Sequence, residues 1–301
     1  MRIGIIGAGG VGAYYGGMLA HAGHDVVMLA RGENLAALRA RELEVRTPEG
    51  AFTVAVEAVA DAESLEGVEL AIVAVKAYSL DEVLPAARAV AQGGGAVVAF
   101  LNGVESADRL VAGGVPAAAV LGGATYISAA RTAPGVVERR SGFQRVLLGE
   151  LPSGTSPRVE AAVAAFRSAG AEATASAQIQ VEIWRKFIFL ASISAACGLV
   201  RGDIGAVRER PYGSELLRRL VRETAAVARA RGVPLPPEEE AQRIAQIEGL
   251  APPTRPSFLL DVLAGGPNEL DILSGAVARL GREAGVETPA HDVAVTVLSN
   301  G

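Results

Sequence analysis

Short apolar runs alternate with segments of helical spacing through the first half of the chain, and beyond about residue 177 the helical period takes over completely. Arg2–Ile6, Asp25–Ala30, Leu70–Val75 and Ala96–Leu101 are rich in Val, Ile, Leu and Ala. Runs apolar at nearly every position predict strands covered on both faces, as in a parallel sheet. Leu43–Val56 is turned at Pro48, Glu49 and Gly50 and predicts an antiparallel excursion. Ala118–Gly123, Gly135–Arg140 and Gln144–Gly149 predict further strands completing the same sheet. In the second half the pattern predicts helices over residues 178 to 201, 212 to 231, 237 to 249, 256 to 264, 267 to 285 and 289 to 298. Gly202, Pro211, Gly232, Pro252-Pro253, Gly265-Gly266 and Pro289 punctuate them. The change of period divides the chain into residues 1–177 and 178–301, with a ligand cleft expected between two domains.

The first strand runs directly into Gly7, Ala8, Gly9, Gly10, Val11 and Gly12, and then into the helix-compatible AYYGGMLAHAG. A GxGxxG turn between a strand and a helix is the phosphate-binding start of a dinucleotide domain. Gly7 permits the turn, Gly9 lets backbone approach a pyrophosphate, and Gly12 brings helix against strand. The first half is therefore expected to be an α/β, Rossmann-type domain. Where an acid would accept the ribose 2'-hydroxyl of NAD(H), at the end of the second strand, stands Arg31. A guanidinium there suits a 2'-phosphate, which predicts NADP(H), with the nearby Glu33 as the opposing signal. Lys76 and Asn102 each lie just past the carboxyl end of an apolar strand, the edge on which such sheets bind ligands. Asn102 also begins an Asn-Gly turn, and the two roles are compatible.

At 301 residues, half apolar and one fifth charged, the chain has the composition of a compact protein with two cores. A net charge of −5 without a basic run argues against a nucleic-acid partner. Glycines interrupt the apolar N-terminus and argue against a secretory signal. Phe187–Val200 is too short an apolar stretch to span a bilayer and is expected to be a core helix. No membrane partner and a cytoplasmic location are the resulting expectations. The single Cys197 has apolar flanks and is expected to be buried and inert. His21, His24 and His291 have no metal-ligand spacing, so no metal site is expected.

Of 28 basic side chains only two, Lys76 and Lys186, are lysine. Lysine retained in so arginine-rich a chain points to places where a compact ammonium must fit or must release a proton. Lys186 lies in VEIWRKF at the start of the longest apolar helical stretch. Partial desolvation there lowers its pKa and prepares it as a general acid. Arg185, one position away, faces another direction and is expected to meet solvent or an acid.

GAGGVG, the arginine after the second strand, VKAY with Lys76, LNGVES with Asn102, EIWRKF with Lys186 and SFLLDVLAGGPNELD with Ser257, Asp261 and Glu269 together resemble the ketopantoate reductase (2-dehydropantoate 2-reductase) family over residues 1 to about 298. The resemblance implies an all-α C-terminal domain like that of 6-phosphogluconate dehydrogenase. It also implies NADPH-dependent reduction of ketopantoate to pantoate, a step of pantothenate biosynthesis. Lys186 would protonate the carbonyl oxygen, Glu269 hold the substrate's hydroxyl end and Ser257 its carboxylate or a neighbouring polar group. Asn102 would bridge substrate and nicotinamide, with Lys76 setting local charge. The bland alternatives are an N-cap for Ser257 and a first-turn acid for Glu269.

The chain departs from the family where asparagines four and eight positions past the lysine, and one before Gly205, are replaced by Leu190, Ser194 and Ile204. Ser194 is the polar group that remains for substrate. Loss of the amides favours a related reductase of a more apolar 2-oxo acid as the alternative function. A non-catalytic NADP(H)-binding sensor is the alternative of another class. A homodimer is the expected assembly.

Overall fold

The computed structural model describes residues 1–299, which divide into two compact units. The first comprises Met1–Leu101 and Glu105–Gln180, and the second comprises Asn102–Val104 with the chain from Val181 onward.

In the first unit β1 (Arg2–Ile6), α1 (Gly10–His21), β2 (Asp25–Leu29) and α2 (Gly32–Ala40) open the chain. They are followed by β3 (Leu43–Thr47), β4 (Gly50–Val54), β5 (Glu57–Val59), β6 (Leu70–Val73), α3 (Leu80–Gln92), β7 (Ala96–Ala99) and α4 (Ser106–Ala112). The unit closes with β8 (Val120–Tyr126), β9 (Ala129–Ala133), β10 (Val136–Arg139), β11 (Arg145–Glu150), α5 (Pro157–Ser168) and β12 (Glu172–Ala175). The eight-stranded sheet has the order β12-β11-β8-β7-β6-β1-β2-β5, with antiparallel pairing only between β8 and β11. Ile6 pairs with both Leu29 and Val73, and Val73 with Ala99, so the carboxyl ends of β1, β2, β6 and β7 lie level. Strand order reverses beside β1, which places the ligand edge at the ends of β1 and β6. Tyr15, fully buried on α1, hydrogen-bonds Thr125 at 2.6 Å and meets Phe166 edge-on, which locks α1 and α5 onto the sheet.

The strand expected over Gly135–Arg140 does not complete this sheet. As β10 it pairs parallel with β3 and antiparallel with β9, giving a separate four-stranded sheet β4-β3-β10-β9. Strand propensity marks a strand but not its partner, and here the partner comes from the β3–β4 excursion.

The second unit is helical: α6 (Ile179–Val200), α7 (Ile204–Glu209), α8 (Gly213–Ala230), α9 (Glu239–Glu248), α10 (Ser257–Ala264), α11 (Ser274–Ala284) and α12 (Pro289–Leu298). The pattern had not predicted α7, a short helix capped by the Asp203 side chain. The single helix expected over 267 to 285 is instead a 3₁₀ turn, Leu270–Ile272, followed by α11. At 22 residues α6 is longer than its apolar core and is long and apolar enough to cross a membrane by length and composition. Most of it is buried within the protein, with Phe187, Ile188, Ala191 and Ala195 in the helical core. Ile204, too, is buried in that core, so its apolar side chain has a packing reason. Arg185 bonds Glu182 at 2.7 Å and the fully buried Glu239 at 2.8 Å, which fixes the rotation of α6 and leaves Lys186 on a different face.

Ile188→Ala should lower the unfolding free energy by about 2–5 kcal/mol in urea denaturation, because Ile188 is wholly buried and the core closes on all sides of it.

Candidate active site

At the turn after β1 the glycines have different tasks. A β-carbon on Gly12 would lie 2.1 Å from the Gly7 carbonyl oxygen, and one on Gly10 would lie 2.3 Å from the Ala129 carbonyl oxygen. Both are closed by protein backbone. Gly9 differs, since its β-carbon would meet nothing nearer than the Ala74 carbonyl at 3.8 Å. Space is therefore left at the one glycine expected to face a pyrophosphate. Gly9 caps α1 with no side-chain hydrogen bond, and the first turn of α1 carries no acid, so the positive end of the helix is unneutralised. Gly7, Ala8, Gly9, Gly10, Val11 and Gly12 thus form a cradle that fits a dinucleotide phosphate.

Arg31 stands two residues past β2, 62% exposed, with its guanidinium on Glu82 of α3 at 2.7 Å. An exposed pair of this kind is worth about 0–1 kcal/mol, so an incoming phosphate can take the guanidinium at small cost. Lys76 is exposed just beyond β6 and precedes a 3₁₀ turn, Ala77–Ser79.

In the second unit three expected site residues are brought together. Lys186 projects from α6, where burial pushes its ammonium down to about 8 and the charge of Glu269 partly restores it. Although half-buried by accessible surface, Lys186 lies among enough protein atoms for desolvation to dominate. Glu269 is 5% exposed and accepts a 3.0 Å hydrogen bond from the Asn102 side-chain amide. It is not the first-turn acid of a long helix, because the 3₁₀ turn intervenes and carries it inward. Gly103, at φ 90°, would place a β-carbon 3.1 Å from the Ile272 carbonyl oxygen, so the Asn-Gly turn sits directly against that 3₁₀ turn. A buried carboxylate, a desolvated ammonium and an orienting amide can move a proton to an oxyanion and hold a hydroxyl beside it.

Leu190 and Ser194 lie one and two turns beyond Lys186 on the same face of α6. Ser192 donates to the Ile188 carbonyl at 2.7 Å, the usual fate of a serine inside a helix. Ser194 is fully buried, and among the described residues its hydroxyl has no hydrogen-bond partner. Ser257 is exposed as the first residue of α10 and does not cap it, since Pro256 takes that position. Among the described residues neither hydroxyl is joined to the Lys186 group by a hydrogen bond.

Cys197 is buried, and desolvation pushes its thiol up to about 12. His291 is buried against Ser274 and Thr224, with burial pushing it down to about 4, so it is a neutral core residue. Among the described residues no group of three or more His, Cys, Asp or Glu side chains is placed to hold a metal ion. Sequence reasoning missed Asn34, which is 5% exposed and tied to the glycine turn. A polar residue inside a short helix gives no signal of such a contact.

The profile described as "Ketopantoate reductase PanE/ApbA" matches residues 3–153, and "Ketopantoate reductase PanE/ApbA C terminal" matches residues 178–300. The chain belongs to the ketopantoate reductase family. It is 34% identical over 302 residues to a 2-dehydropantoate 2-reductase of Halobacterium salinarum, covering 99% of this chain and 95% of that one. The crystal structure of 2-dehydropantoate 2-reductase from Methylococcus capsulatus superposes with a TM-score of 0.88 at 28% identity, covering 99% and 96% of the two chains. D-mandelate dehydrogenase, solved with NADH and anilino(oxo)acetate, shares the fold, with a TM-score of 0.87 at 23% identity over 99% of this chain and 97% of that one. Like the named reductases of its family, this chain is an oxidoreductase.

Titration of Lys186, followed by NMR of the ¹³C-methylated amine, should be centred near pH 8. In Glu269→Gln it should move to lower pH, because the carboxylate is what raises it.

Proposed function

We propose that this chain catalyses NADPH-dependent reduction of a 2-oxo acid, with 2-dehydropantoate as substrate and pantoate as product, a step of pantothenate biosynthesis. The observation that carries the reading is the desolvated Lys186 ammonium beside Glu269, itself bonded to Asn102. When bound, NADPH supplies a hydride with its electron pair to the carbonyl carbon. Lys186 gives its proton to the carbonyl oxygen as charge develops there, so ketone, hydride and proton become a secondary alcohol, and the amine regains its proton from solvent. A pKa of about 8 keeps the proton in place at neutral pH yet makes it easy to release. Glu269 takes the substrate hydroxyl, oriented by Asn102, and the exposed Ser257 hydroxyl takes the carboxylate or a polar group beside it. Arg31 holds the 2'-phosphate in exchange for Glu82, Lys76 adds positive charge near the phosphates, and the glycine turn seats the pyrophosphate.

A second reading, reduction of a more apolar 2-oxo acid, is favoured by Leu190 standing between Lys186 and Ser194 on one helix face. The sensor reading lacks support beside relatives named as reductases. Leu260 and Leu263 on α10 and Val293 and Val297 on α12 are exposed, which supports a homodimer.

NADPH oxidation against a panel of 2-oxo acids separates the two substrates. Ketopantoate should be the best of the panel, and preference for an acid without the hydroxyl would select the second reading. Lys186→Ala should lower kcat by about 10²–10⁴-fold, and full activity in that variant would remove the general-acid role. For the wild type, kcat/KM should be flat below pH 8 and fall above it, since the protonated amine is the active form. Arg31→Ala should raise KM for NADPH about tenfold while leaving NADH almost unchanged.

A further inference from the structure

Asn34, the third residue of α2, is buried and bonds two other segments of the first unit at once. Its side-chain amide donates to the Ala8 carbonyl at 3.0 Å, and its side-chain oxygen accepts from the Gly135 backbone amide at 2.9 Å. Both partners are backbone groups of fixed polarity, so a side chain that gives one hydrogen bond and takes another is required. Ala8 lies inside the glycine turn, and Gly135 closes the β9–β10 hairpin, whose Ala129 backbone presses on Gly10. Three residues before Asn34 is Arg31.

Ala8 and Gly9 share one planar trans peptide, in which C=O and N–H point in opposite directions. Pulling the Ala8 carbonyl toward Asn34 therefore aims the Gly9 N–H the other way, away from Asn34. No backbone hydrogen bond outside the regular elements takes the Gly9 amide among the described residues. Released, the Ala8–Gly9 peptide can rotate and present its carbonyl oxygen to an anion. We infer that Asn34 is a positioning residue of the dinucleotide site: it turns the Ala8–Gly9 peptide so that an amide, not a carbonyl, faces the pyrophosphate, and it joins that turn to the start of α2 that carries Arg31.

The inference rests on the NADPH reading, and its test separates the two. NADPH is titrated by its own fluorescence into the full-length wild type, Asn34→Asp and Asn34→Ser, with melting temperature and steady-state rates measured alongside. Aspartate keeps the acceptor for Gly135 but sets a negative charge against the Ala8 carbonyl, and serine is too short to reach both partners. Asn34→Asp should raise the NADPH Kd at least about tenfold and Asn34→Ser by about three- to tenfold. KM for NADPH should rise in step while kcat at saturating NADPH stays within about twofold, since the reacting groups are untouched. If only one variant folds, its Kd decides. A lowered melting temperature with unchanged NADPH Kd in the folded variant would overturn the positioning role and leave Asn34 as packing. Failure of the wild type to bind NADPH would overturn the cofactor reading and this inference with it.

Discussion

Charge and burial oppose each other at Lys186, and the chemistry proposed for the chain depends on how that opposition is settled. A fully hydrated ammonium holds its proton too tightly to release it readily near neutrality, and a fully desolvated one without a counter-charge would give it up before substrate arrived. Packing around α6 strips water from the amine, and Glu269 restores part of the preference for charge. Glu269 can do so from a buried position because the Asn102 amide satisfies it. Each member of the trio makes the next tolerable. The rotation of α6 that aims the lysine is set on another face by Arg185, gripped between Glu182 and Glu239.

The two lysines illustrate why an arginine-rich surface and an ammonium at the site are compatible. Exposed arginines such as Arg2, Arg158 and Arg218 bond one or two acids in forks that suit a planar cation. Residue 186 has a different task in the proposed chemistry, which needs a proton that can leave. A guanidinium, always charged, cannot serve there. The 2'-phosphate contact proposed for Arg31 is the converse case, because permanent charge and paired donors suit a phosphate.

Much of the fold was legible because period and punctuation agree. The apolar runs around Ile5, Ile72 and Val98 are strands of the covered sheet, and the end-points read from Gly232, the Pro252-Pro253 pair and Pro289 bound real helices. Pairing was less legible. Val136–Arg139 has strand character, but its neighbours are fixed by contacts far apart in sequence, and the second sheet leaves no local mark. The same holds within the site. Lys186 and the glycine turn announce themselves through composition and spacing. Spacing alone makes Glu269 one more acid of a first helical turn, and only the resemblance to the family marks it for substrate; the 3₁₀ turn at Leu270–Ile272 is what carries it inward to Asn102. Asn34 reads as an ordinary polar residue of a short helix, since its two partners are backbone groups 26 and 101 residues away.

Asn102–Val104 directly follows the β7 region of the first unit yet belongs to the second, where Val104 packs on the helical core. The chain therefore passes from one unit to the other at 101/102, at 104/105 and at 180/181. Two profile matches in succession give the appearance of interchangeable modules. A chimera spliced at residue 180 would import another relative's three-residue strap into the helical unit, beside a native Glu269 and Ile272. Recombination between homologues must keep residues 102–104 with the C-terminal half, even though the ribosome makes them with the N-terminal one.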